Sequence, residues 1–360
     1  MSLFSIIIIP VISLAIVLAI MPLLRLAAIK LQLVDKPNAR KAHKGQVPLV
    51  GGLAIWFATI ATLLVVSPSL NSISDISFML IAAGILLVIG VIDDKADLRA
   101  SLKLTIQIAL AYYAFSNGIR IETLHGIVGI YEIPVIFQYI ITLIVITGVV
   151  NAFNLMDGID GLAAGLAFVA FMLFGWMAFI TGELMLLYLF LTLIGALIGF
   201  MRFNFSTKLK VFMGDAGSLF IGFIMVLAAI SLIQAAQGTP DIQLVLSVVV
   251  GVLALPVLDS LRVYRRRAKN GYSPFRADRT HFHHLVLQLG IKHRSATLFI
   301  IIFSVLLISL SIAIGTLTSF TLMILSLMTA FIFISWLLSL NSKVAFWKDK
   351  VLKMEKGINE

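Results

Sequence analysis

Cysteine is absent from the sequence. That removes disulfides, a thiol nucleophile and any thiolate metal site from consideration, and leaves the redox compartment open. Charge is scarce as well: 12% of the 360 residues are charged, against 61% hydrophobic. Soluble domains carry roughly 25% charged residues, so a water-soluble globule is excluded. The N-terminal stretch MSLFSIIIIPVISLAIVLAIMPLLRL lacks a basic start and a small-residue cleavage site. It reads as a retained first membrane span rather than a removed signal peptide. Soluble domains, low-complexity tracts and convincing repeats are also missing. What remains is long apolar runs, and the fold class they predict is all-α, a polytopic integral membrane protein.

Eleven apolar segments can be drawn, near 3–25, 49–67, 76–92, 102–117, 134–150, 160–180, 184–201, 211–234, 243–262, 296–315 and 318–340. The charges then separate. Loops 26–48, 93–103, 151–160, 202–210 and 262–295, the tail 341–360 and Arg25 hold 26 of the 27 Lys and Arg residues. The opposite face holds Arg120 against Asp75, Glu122, Glu132, Glu183 and Asp241. By the positive-inside rule the basic face is cytoplasmic, which puts the N-terminus outside and the C-terminus inside. The net charge of +10 therefore reports orientation and not nucleic-acid binding. The tail KVAFWKDKVLKMEKGINE reads as a basic interfacial helix.

Five polar clusters stand out, all on the basic face. They are HKGQVPLVGG (43–52), DDKADLRASLK (93–103), NAFNLMDGIDGLAAG (151–165), NFSTKLKVFMGDAGS (204–218) and SPFRADRTHFHH (273–284). Asp93 and Asp94 suit either a solvated helix end or a site. Asp215, in GDAGS before the apolar run LFIGF, is a carboxylate near hydrocarbon and so a functional candidate; a helix cap is the alternative. Asn151, Asn154, Asp157 and Asp160 recur every third residue. Gly158 and Gly161 suggest a broken turn there, with Asp157 or Asp160 starting the sixth helix. His281, His283 and His284 invite a zinc reading. With no cysteine, and with Arg276, Arg279 and Lys292 nearby, they look more like anion ligands. The run RVYRRRAK (262–269) is most simply a stop-transfer flank. Carboxylates and amides suit Mg²⁺, and Lys and Arg suit phosphate. Together they point to phosphoryl transfer at a membrane surface.

The segments VDKPNARKAHKGQVPLVGG, DDKADLRASLK, NAFNLMDGIDGLAAG, FNFSTKLKVFMGDAGS and PVLDSLRVYRRRAKNGYSPFRADRTHFHH, in this order over 34–284, resemble the polyprenyl-phosphate N-acetylhexosamine-1-phosphate transferases. They look closer to the WecA/TagO branch than to the MraY branch. The resemblance implies a single transmembrane catalytic domain over 1–340 with a basic cytoplasmic tail at 341–360. It implies transfer of an N-acetylhexosamine 1-phosphate, GlcNAc-1-phosphate by preference, from the UDP-sugar to undecaprenyl phosphate, with UMP leaving. The setting would be the cytoplasmic face of a bacterial inner membrane, starting a surface polysaccharide, with Mg²⁺ or Mn²⁺ as cofactor.

Matched positions give expected roles. Asp215 would bind the metal with Asn154. Asp93 would position or deprotonate the lipid phosphate, with Asp94 in support, and Lys103 would contact phosphate. Lys44, Asn204, Phe212 and Gly214 would line the uridine site, with Asp157 and Asp160 nearby and Asn151 among the substrate-binding groups. Arg279, His281, His283 and His284 would hold the pyrophosphate and sugar. The spacing from Asn204 to the GD pair is one residue longer than in some relatives. Direct attack by the lipid phosphate is favoured over a covalent aspartyl intermediate, because a metal and cations can stabilise an in-line transition state. A homodimer is compatible with the resemblance. The rival readings are an MraY-like transferase whose donor carries a peptide and, from a different class, an ion-coupled transporter.

Overall fold

The computed structural model describes residues 3–35, 45–67, 70–273 and 280–355, with side chains over 6–35, 45–67, 76–273 and 280–340. The apolar runs all become helices. In chain order these are α1 (Leu3–Lys30), α2 (Gly51–Val66), α3 (Leu70–Ala96), α4 (Ala100–Ser116), α5 (Val135–Asn154), α6 (Leu162–Thr181), α7 (Leu184–Asn204), α8 (Gly214–Ala236), α9 (Ile242–Lys269), the short α10 (Phe282–Leu287), α11 (His293–Gly315) and α12 (Phe320–Glu355). Among the described residues nine helices are long and apolar enough to cross a membrane. The chain is thus a multi-pass membrane protein. The other two of the eleven apolar segments form α2, of 16 residues, and α4, of 17; both fall short of a full-length span. The segment near 134–150 is a full span of 20 residues, α5.

Two small antiparallel ribbons interrupt the all-helical pattern. Strands β1 (Val34–Asp35) and β2 (Val47–Pro48) pair at the basic end. Strands β3 (Thr123–Ile127) and β4 (Ile130–Glu132) pair at the other end. This second hairpin is pinned to α12, where the Val128 N–H donates to Thr321 Oγ1 at 2.8 Å. The basic tail begins as a direct continuation of α12, which stays helical to Glu355.

Helix α8 is the hub. Beyond Asp215 its sequence has no charged residue, and a helix apolar on every side belongs inside a bundle. It packs against α2, α3, α5, α6 and α9. Close approach is built in: Gly52 of α2 lies against Gly217 of α8, where a Cβ on Gly52 would overlap the α8 backbone. The first turn of α8, carrying Asp215, is thereby fixed against several helices at once.

Candidate active site

The segment 204–218 gathers the other polar clusters around it. The 45–52 stretch arrives as β2 running into the start of α2: Phe212 N–H donates to Pro48 O at 2.9 Å, and Gly51 and Gly52 N–H donate to Phe212 O and Met213 O at 3.0 and 3.1 Å. The end of α3 arrives through Asp94. Its Oδ1 and Oδ2 accept the Asp215 and Ala216 backbone N–H groups at 2.9 and 3.3 Å. These are orphan donors of the first helical turn, so the cap for α8 is supplied by a different helix. Gly214 makes this possible. Its φ is +74°, and a side chain there would strike the Asp94 carboxylate.

Beside that cap lies an ion cluster. Lys103 Nζ is 2.5 Å from Asp93 Oδ2 and 3.6 Å from Asp215 Oδ2. Asp93 Oδ1 accepts the Leu98 N–H at 2.8 Å, which closes the α3–α4 turn. The Asp215 carboxyl lies against that of Asp93. Asp93 is buried while the Asp215 side chain is 38% exposed. Two carboxylates thus share one ammonium, and of the two Asp215 is the more accessible.

The turn 155–161 closes the site from the α5–α6 side. Helix α6 begins after Gly161, in the left-handed region, with no side-chain cap. Neither Asp157 nor Asp160 starts it, contrary to the sequence expectation. Asp160 pairs instead with Lys210 at 2.5 Å, and its carbonyl accepts the Thr297 hydroxyl at 2.8 Å. Gly161 N–H donates to Asn204 Oδ1 at 2.7 Å, and Asn204 Nδ2 donates to Val211 O at 2.9 Å. Asn204 is therefore a buried brace between the third and fourth clusters. Asn154 Oδ1 accepts the Ser218 hydroxyl at 2.5 Å, one turn along α8 from Asp215. Asn151 faces α4, its Nδ2 donating to Gln107 Oε1 at 2.5 Å. Burial, with the nearby charges of Asp94 and Asp160, raises the Asp157 carboxyl to about 7. Phe212 is half-buried under Lys210, whose Nζ stands 5.3 Å from the ring centre.

The histidine cluster docks on this turn. A side chain at Gly158 would collide with His283 Nε2. The His281 and His283 rings are parallel, 6.1 Å apart, and His284 adjoins His283 at 4.2 Å. Burial and the neighbouring His284 and His281 push the His283 imidazole down to about 3, so it is neutral at physiological pH. His281 is held by Asp259 of α9. The sequence reading did not single out this aspartate, although an ionisable residue inside an apolar run is the signal for one. Lys44 and Arg279 lie outside the described residues.

Residues 76–233 match the family described as Glycosyl transferase family 4. The chain is 35% identical over 294 residues to the undecaprenyl-phosphate alpha-N-acetylglucosaminyl 1-phosphate transferase of Escherichia coli (strain K12), covering 80% of this chain and 78% of that protein. It is 34% identical over 290 residues to the protein of the same name from Yersinia pestis, covering 79% and 77%. To the probable undecaprenyl-phosphate N-acetylglucosaminyl 1-phosphate transferase of Bacillus subtilis (strain 168) it is 32% identical over 298 residues, covering 81% and 79%. The chain belongs to this transferase family. The resemblance drawn from the five motifs holds.

The donor set can be tested against a metal. Among the described residues no group of three or more His, Asp or Glu side chains converges to enclose an ion. Mg²⁺ keeps several waters and binds through one or two carboxylates plus substrate phosphates. The accessible Asp215 carboxylate and the Asn154 amide oxygen, which accepts the Ser218 hydroxyl one turn along α8, are oxygen donors of the required kind.

Proposed function

We propose that this protein transfers N-acetylglucosamine 1-phosphate from UDP-GlcNAc to undecaprenyl phosphate. A lipid phosphate oxygen attacks the β-phosphorus of the nucleotide sugar, the bond from that phosphorus to the bridging oxygen breaks, and UMP leaves. The products are a lipid-linked sugar pyrophosphate and UMP. One observation carries the reading: segment 204–218 draws the residues around 45–52, 93–103 and 151–161 into direct contact, and the histidines join through Gly158. A transporter has no such need for every polar cluster to meet at one end of the bundle.

Asp215 with Asn154 would hold Mg²⁺, which when bound neutralises charge on the pyrophosphate. Lys103 offers its ammonium to phosphate from the first turn of α4. Asp93, engaged with Lys103 and the Leu98 N–H, orients that lysine. A base is not required, because a phosphate monoester is largely ionised near neutral pH. Neutral His283 and its neighbours face the turn that carries Asp157. The charge distribution supports eleven crossings, with the N-terminus outside and the site on the cytoplasmic face of the inner membrane.

The test is UMP release by purified protein with Mg²⁺, undecaprenyl phosphate and UDP-GlcNAc. Release that needs both lipid and metal, and that disappears in Asp215→Ala, is the expected result. No UMP from UDP-GlcNAc but UMP from another UDP-N-acetylhexosamine would correct the donor. No UMP from any of them would overturn the reading.

A further inference from the structure

The histidine corner contains a carboxylate that the proposed reaction does not use. Asp259 lies on α9 and is fully buried. A buried charge is costly unless its oxygens are matched, and here they are. Oδ1 accepts the Arg262 guanidinium at 2.6 Å and the Phe282 backbone N–H at 3.0 Å. Oδ2 stands 2.9 Å from His281 Nδ1. Arg262 also donates to Thr280 O at 2.6 Å. The peptide from Thr280 to Phe282 is thus tied to one turn of α9.

Two observations carry this beyond scaffolding. His281 is 96% buried, at 4% relative exposure, yet its Nε2 has no hydrogen-bond partner among the described residues. Its ring also stands parallel to that of His283, which abuts the 155–161 turn. A carboxylate on one ring nitrogen fixes the tautomer and the ring plane. The proton then sits on Nδ1, and Nε2 is left as the buried ring atom without a partner among the described residues. It is an acceptor when the ring is neutral and an N–H donor to an anion when it is protonated.

We propose that Asp259 is a positioning residue: it sets the tautomer and orientation of His281 so that Nε2 meets the phosphate-bearing sugar donor. This rests on the transferase reading above. It assigns Asp259 a role exerted through His281 alone, with Arg262 holding the carboxylate in place.

A double-mutant cycle tests it, read as the affinity of full-length, detergent-purified protein for UDP-GlcNAc with Mg²⁺, by calorimetry. UMP release by the unmodified protein runs as the control. His281→Asn retains an amide N–H near the place of Nδ1 and removes Nε2. Asp259→Asn in the unmodified background should weaken donor binding about tenfold, the scale on which partners of a histidine ligand act. In the His281→Asn background the same change should cost less than about twofold, because residues acting as one unit are not additive. Asp259→Glu keeps the charge facing Arg262 and lengthens the arm; it should show the same dependence on background, and it serves if Asp259→Asn does not fold. Equal weakening in both backgrounds, or none in either, overturns the positioning role. Absence of both binding and UMP release in the unmodified protein would overturn the transferase reading itself.

Discussion

The carboxylate corner and the histidine corner use the same device and end with opposite character. In each, an aspartate from a long helix accepts backbone N–H groups at the start of the next functional element. Asp94 of α3 does this for Asp215 and Ala216, and Asp259 of α9 does it for Phe282. The difference lies in what else the aspartates meet. Around Asp94, the Asp93 and Asp215 carboxylates share the single ammonium of Lys103, so the corner holds more carboxyl groups than cations. Around Asp259, the guanidinium of Arg262 offsets the carboxylate, and the neutral His283 imidazole stands beside the ring of His281. An excess of carboxylate invites a cation. A balanced pair beside an unpartnered imidazole nitrogen can receive an anion once that ring carries a second proton. A nucleotide-sugar pyrophosphate with Mg²⁺ needs both, side by side.

Substitutions at the carboxylate corner test whether charge excess and scaffold can be separated there. The largest effect is expected at Asp215, whose carboxylate is accessible and caps nothing. Asp215→Ala should lower the rate of UMP release about 10³-fold, the scale of losing one preorganised electrostatic group, while the thermal midpoint stays near that of the unmodified protein. Lys103→Met comes next. It leaves Asp93 buried without its cation, and breaking such a pair costs about 3 kcal/mol; thermal unfolding in detergent would show it together with loss of activity. Asp94→Ala follows. Removing the acceptor for two helix-start N–H groups costs about 1–2 kcal/mol, read as a lowered midpoint that Asp94→Asn partly restores. If Asp94→Ala instead left stability intact and abolished activity, Asp94 would belong with Asp215 to the chemistry and the two corners would not share a device.

Much of this could be seen in the sequence, and the parts that could not have a common cause. Long apolar runs announce helices by length alone, so α1, α3 and α6 to α9 fall where the runs lie. The five polar clusters were visible because ionisable groups at a lipid boundary are expensive. Pairings between distant residues were not visible. Asp94 caps a helix 121 residues further along, and Asp259 holds a histidine 22 residues away across a loop. Asp157 and Asp160 looked like starts of the sixth helix because acidic residues before an apolar run usually are. Lys210 takes Asp160 instead, and Asp157 stays in the turn ahead of α6. The bracing role of Asn204 was equally hidden, because its acceptor and donor meet Gly161 and Val211.

Asp157 offers the mildest and most selective probe of the charge excess, since its carboxyl is raised to about 7 by burial and by the charges of Asp94 and Asp160. In the unfolded chain it titrates near 3.8. Between those values the folded protein holds a proton that the unfolded chain has released, so this group lowers stability as pH rises from about 4 to about 7. Asparagine mimics the protonated form and does not titrate. Without metal or nucleotide, Asp157→Asn should match the unmodified protein near pH 4 and gain on it progressively up to about pH 7, with no further gain above. Thermal midpoints measured across that range check it. A constant offset at every pH would mean that neither burial nor the neighbouring carboxylates raise Asp157 in the folded protein. The contrast between an electrically loaded corner and a balanced one would then stop short of the 155–161 turn.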